Sequence, residues 1–145
     1  MLRGLVIAVL VGIGLLGTKA FSEVVAANPY GDWTLSDGRL TVTIVPCRGD
    51  QVCATLIRLQ EPNNGDGTPK LDLKNKNPAL RARHLIGMPL IDGMAPTGHN
   101  TWKGQIYSSD DGDFYRAYAT VAGDHLSVKG CWFVICRDLN FNRNK

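Results

Sequence analysis

Among the 145 residues of this chain, the four cysteines, Cys47, Cys53, Cys131 and Cys136, offer the most chemistry. Thiols can hold a metal, cycle between redox states or cross-link the chain. Zinc sites favour C-x2–4-C motifs matched by a second such pair. Cys131-x4-Cys136 falls within that spacing and Cys47-x5-Cys53 outside it. His84, His99 and His125 are scattered singly, so no metal and no cofactor is expected. An even cysteine count in an exported chain reads instead as two disulfides, with three pairings open. Spacing favours the local one, each pair facing across the strands of a hairpin. Loop entropy assigns about 2 kcal/mol to each such short ring.

Other reactive types are present without the geometry that would join them. Asp110, Asp111 and Asp113 suggest calcium, but lack the spaced ligands and closing glutamate of an EF-hand. Asp-Gly is a hairpin signal, and a turn explains the cluster better. Arg48-Gly49-Asp50 is likewise a turn before it is an adhesion tripeptide. Asp92 with His99 could form an acid–base pair, and Ser108 or Ser127 a nucleophile, yet nothing in the spacing links them. Gly-x-Ser-x-Gly and His-Glu-x-x-His are both absent. No catalytic residue is nominated, and the chain does not read as an enzyme.

The aromatic residues allow a different function. Trp102, Tyr107, Tyr115 and Tyr118 could line a cavity for a small apolar molecule, with Arg116 and His125 as polar anchors. The competing expectation is a barrel filled solid by the same side chains. Trp132-Phe133-Val134-Ile135 places four large apolar residues between two cysteines. Exposed at a hairpin tip, Trp132 and Phe133 would mark a surface for an envelope partner. Folded back, they would make a lid.

The elements that must position these residues begin after an export signal. Met1-Leu2-Arg3 is a short basic start, Leu5 to Gly17 carry no charge, and small residues then offer cleavage after Ala20 or Ala27. The apolar run ends at Lys19, short of the roughly 20 residues a spanning helix needs. Residues 1–27 are therefore expected to be removed, leaving a periplasmic or secreted chain without a stable membrane span. Residues 28–145 form one domain. Of 16 basic and 13 acidic residues, the segment takes Arg3, Lys19 and Glu23, leaving 14 and 12. Their even mixing implies no nucleic-acid partner, and a monomer is expected.

The mature part divides into short strands and tight turns. Trp33 to Leu35 leads into an Asp37-Gly38 turn, Leu40 to Val45 alternates with Leu40, Val42 and Ile44 on one face, and Val52 to Leu59 follows. Asn63 to Pro78 is a long polar loop. Asn77 as cap and Pro78 at the first position predict a short helix through Arg83. Met88 to Ile91, Thr101 to Tyr107, Phe114 to Val121, Leu126 to Cys131 and 137–143 supply further strands. About eight strands at this spacing predict a mainly all-β, antiparallel barrel or sandwich. A closed barrel is preferred, because little else exists to cover sheet edges.

Several segments, in order, carry a resemblance. They are Gly31-Asp32-Trp33, Leu59-Gln60-Glu61-Pro62, 80–87, 102–107, Asp111 to Tyr115, Leu126 to Cys131, Cys136-Arg137 and Arg143. From about Asn28 to Arg143 the chain resembles the bacterial family catalogued as domain of unknown function 2147. Phe141 stands where that family usually has tryptophan. The resemblance implies a small exported barrel of the calycin, lipocalin-like kind with no agreed activity. In such a barrel, Trp33 on the first strand under Arg143 on the last would close one end by a cation–π contact of about 0.5–2 kcal/mol.

Overall fold

A computed structural model describes residues 27–145. The expected signal segment therefore lies outside the described residues, apart from Ala27 at its end. Eight strands follow in order: β1 (Gly31–Leu35), β2 (Leu40–Cys47), β3 (Gln51–Leu59), β4 (Pro89–Gly98), β5 (Thr101–Ser108), β6 (Asp113–Ala122), β7 (His125–Trp132) and β8 (Ile135–Arg143). Each pairs antiparallel with the next. β1 then pairs with β8, Trp33 opposite Arg143 and Leu35 opposite Phe141, and the sheet closes on itself. Closure gives every described strand two neighbours, although β1 meets β8 only over Arg143 to Phe141.

Side-chain alternation decides what each strand contributes. On β6, Ala117, Ala119 and Val121 are buried, while Arg116, Tyr118 and Thr120 between them are exposed. Successive inward residues make bands across the barrel. Trp102 lies opposite Ala119, Ala119 opposite Val128, and Val128 opposite Leu139. Val121, Leu126, Phe141 and Leu35 form the next band, nearer the closed end.

Two elements differ in extent from the sequence expectation. β4 continues to Gly98 rather than stopping near Ile91. Gly93 (φ 97°) and Pro96 read as strand breakers, but register shifts on both sides of β4 absorb them. The short helix is one 3-10 turn, Pro78–Leu80, with the Asn77 side chain accepting from the Ala79 amide at 3.0 Å.

The long β3–β4 connection is anchored by one buried carboxylate. Asp72 is completely buried. The Tyr107 hydroxyl donates to its Oδ1 at 2.7 Å, and Asn75 Nδ2 donates to its Oδ2 at 2.7 Å. Arg83 donates to that Oδ2 through Nε at 2.9 Å, with Nη2 at 2.8 Å, and lies 5.3 Å from the Tyr107 ring centroid. Burial, then the hydrogen bond and charge of Asp72, push the Tyr107 phenol up to about 12. Both disulfides take the local pairing: Cys47–Cys53 brackets the β2–β3 turn and Cys131–Cys136 the β7–β8 turn.

Candidate ligand cavity

The two ends of the barrel differ. One end is plugged by Trp33, which is fully buried and donates from Nε1 to the Pro29 carbonyl at 2.8 Å. The Arg143 guanidinium sits 4.2 Å from the Trp33 ring centroid and donates to the carbonyls of Tyr30 (2.8 Å) and Asn28 (2.5 Å). One side chain thus covers the tryptophan and ties down the segment leading into β1.

The opposite end holds a cavity of about 780 Å³. Leu35, Leu56, Ile106, Leu139 and Phe141 are among its walls. Its rim comes from the β1–β2, β3–β4, β5–β6 and β7–β8 connections, including Arg39, Lys70, Asp111, Trp132 and Ile135. The register explains why space remains here. Ala117 lies opposite Gly130, and Gly130 opposite Arg137, so this inward band presents two small residues beside an arginine. A Cβ added at Gly130 would meet only Ile106 Cγ2 at 3.6 Å and Tyr115 Cβ at 3.8 Å, ordinary contact distances. Large residues fill the bands below, and the barrel empties towards its mouth.

The aromatic residues nominated from sequence divide between the two faces of the wall. Tyr115 lines the cavity, opposite Ile106 on β5. Tyr107 borders it too, but its hydroxyl is engaged with Asp72 under the long loop. Trp102 packs against the core towards the closed end and does not line the cavity. Tyr118 and Arg116 face outwards. Tyr118 is exposed with Lys103 Nζ 5.8 Å from its ring centroid, and Arg116 Nη2 donates to the Phe133 carbonyl at 3.3 Å. Grouping them with Tyr115 therefore fails for a geometric reason, since odd spacings along one strand point to opposite faces. His125 is an exposed partner of Asn142 at 2.9 Å, away from the cavity. Asp92 pairs with Arg48 at 2.9 Å.

Tyr115 and Asp111 form the polar contact nearest the mouth. The Tyr115 hydroxyl donates to the Asp111 carboxylate, and this bond, with lesser help from burial, raises the phenol pKa. Burial works against the Asp111 charge, but hydrogen bonds from Tyr115 and Ser108 outweigh it and hold the carboxyl below its usual range. The β7–β8 tip overhangs the same rim. Trp132 is 47% exposed, Phe133 77% and Val134 93%, while Trp132 packs on Tyr115 with ring centroids 5.8 Å apart. Phe133 has φ +51°, a conformation bulky residues rarely adopt. Among the described residues no three His, Cys, Asp or Glu groups gather as metal ligands, and no helix is long and apolar enough to cross a membrane.

Two residues of this site escaped the sequence reading. Asp72 lies between Leu71 and Leu73, an apolar bracket that hints at burial inside a polar loop. Arg137 shares the inward parity of Leu139 and Phe141, a pattern available from alternation alone.

A closed, eight-stranded antiparallel barrel, plugged at one end and hollow at the other, is a lipocalin-like fold. It resembles the structure of protein HP1028 from the human pathogen Helicobacter pylori, described as belonging to the lipocalin family, with a TM-score of 0.66. The match covers 80% of this chain and 82% of that one at 21% sequence identity, a likeness of fold. Residues 31–143 match the family model described as uncharacterized protein conserved in bacteria (DUF2147), and the chain belongs to that family. No curated protein sequence matches it.

Proposed function

We propose that this protein binds a small apolar molecule inside its barrel, as a monomer in the periplasm, after loss of the N-terminal segment. The observation carrying the reading is the apolar cavity of about 780 Å³, within the size range of small-molecule sites. Two disulfides suit an oxidising, extracellular-type compartment. Each described strand has a neighbour on both sides, which disfavours edge-to-edge pairing with a second copy. Native mass spectrometry of protein purified from its own periplasm should reveal a co-purifying small molecule. A Gly130→Phe variant, which projects a ring into the cavity, should lose it while keeping the native far-ultraviolet spectrum. Retention of the same molecule by Gly130→Phe would rule out the cavity as its site.

A second reading has its own observation, the exposed tip Trp132-Phe133-Val134-Ile135 with its positive-φ phenylalanine. Apolar side chains held outwards on a cross-linked hairpin suit docking to a cell-envelope partner. Replacing Phe133 and Val134 by serine should shift the protein from the envelope fraction to the soluble periplasm. An unchanged distribution would count against docking through the tip.

A further inference from the structure

Resting on the cavity reading, we infer that the ligand is a single-chain amphiphile bearing one anionic headgroup, its tail in the barrel and its headgroup on Arg137. The inference comes from the state of the charges around the mouth. Arg39 is turned to Asp37 at 2.6 Å, and Lys70 faces Glu61 at 3.7 Å. Asp111 is occupied by the Tyr115 hydroxyl. Arg137 lines the same cavity and has no hydrogen-bond or ion-pair partner among the described residues.

Arg137 is solvent-accessible at the mouth, but its inward parity separates it from an arginine on the outer face of the wall. It occupies an inward register position, opposite Gly130 and two residues before Leu139, one band deeper than the facing pair Trp132 and Ile135. Its charge is near enough to Tyr115 to act on that phenol, as the smallest of the influences there. Ala117 and Gly130 beside it leave the guanidinium an open volume rather than a packed wall. A planar guanidinium carries five donors and no acceptor, and its fork matches a carboxylate or phosphate ester in paired hydrogen bonds. Below it the wall is apolar, with Leu139 and Phe141. A headgroup at this level directs its tail inwards. Asp110 and Asp111 on the rim disfavour a polyanion, leaving a monoanionic headgroup as the best match.

The test uses the full mature protein and three probes of equal chain length: dodecanoate, dodecan-1-ol and dodecylamine. Each displaces a fluorescent apolar reporter at neutral pH and moderate salt. A charge-assisted paired hydrogen bond at a partly open mouth should make dodecanoate bind about tenfold more tightly than the alcohol, and the amine least tightly. Arg137→Gln should abolish the preference, so that dodecanoate and dodecan-1-ol bind the variant alike. Equal affinities for acid and alcohol in the native protein, or a preference that survives Arg137→Gln, would overturn the headgroup assignment and leave the cavity reading standing. Failure of all three probes to displace the reporter would overturn both.

Discussion

Asp72 shows how one residue can hold a long loop to a barrel. Its carboxylate is fully buried and takes hydrogen bonds from Tyr107, Asn75 and Arg83, so its charge is compensated only while all three are present. Removing one partner from such a cluster leaves the others unpaired. Asp72→Ala is expected to lower unfolding free energy by about 3 kcal/mol in urea titrations, because Arg83 and the Tyr107 hydroxyl lose their acceptor. Tyr107 also makes the fold sensitive to alkali. Its folded pKa of about 12 exceeds the ordinary value of 10, so its contribution is intact below pH 10. Above that the unfolded phenol ionises first and stability falls as pH rises towards 12. Thermal melts from pH 9 to 12 should show this fall, and Tyr107→Phe should make it shallower, leaving the part that belongs to Tyr115. At the closed end, Arg143→Gln should cost about 2 kcal/mol by the same titration, combining a cation–π contact with two hydrogen bonds to backbone carbonyls.

At the scale of elements, the connections carry the consequences. Gly112 in the β5–β6 turn has φ +73°, and a Cβ there would lie 1.8 Å from the Lys74 carbonyl oxygen. The turn and the long loop therefore touch through backbone, with Lys74 Nζ donating to the Asp110 carbonyl at 2.5 Å. Gly112→Ala should push the loop off the barrel, seen as faster proteolysis between Asn63 and Pro78 with the strands protected. The β7–β8 hairpin is closed at Cys131–Cys136, one residue pair before its two-residue turn at Phe133-Val134. Replacing both cysteines by serine should cost about 2 kcal/mol of loop entropy without altering strand register. The local pairing was legible because each intervening segment is too short for anything but a hairpin turn. The full length of β4 was not, since Gly93 and Pro96 signal interruption in sequence while bulges tolerate them in the sheet.

Over the whole molecule, function depends on a volume that no single residue defines. The cavity exists because Ala117 and Gly130 share a band with Arg137 rather than with large apolar side chains. A filled barrel and a hollow one differ only in which residues face one another across the sheet. Gly130→Leu should test this directly: added methylenes occupy the cavity, so stability holds or rises while affinity for an apolar reporter falls by about tenfold or more. Equal loss of both would instead mean that the variant disturbs the strands.

The amino-acid order by itself determined most of the strands and turns and an antiparallel all-β class, and it favoured closure and the local disulfides over their alternatives. These follow from period-two patterning and short-range chain geometry, which act between residues near one another in sequence. Tertiary structure alone decided that Tyr115 and Arg137 share a mouth and that Asp72 meets Tyr107 and Arg83. Those relations depend on register between strands far apart along the chain. A register is chosen by the packing of the entire barrel, so no local stretch of sequence contains it.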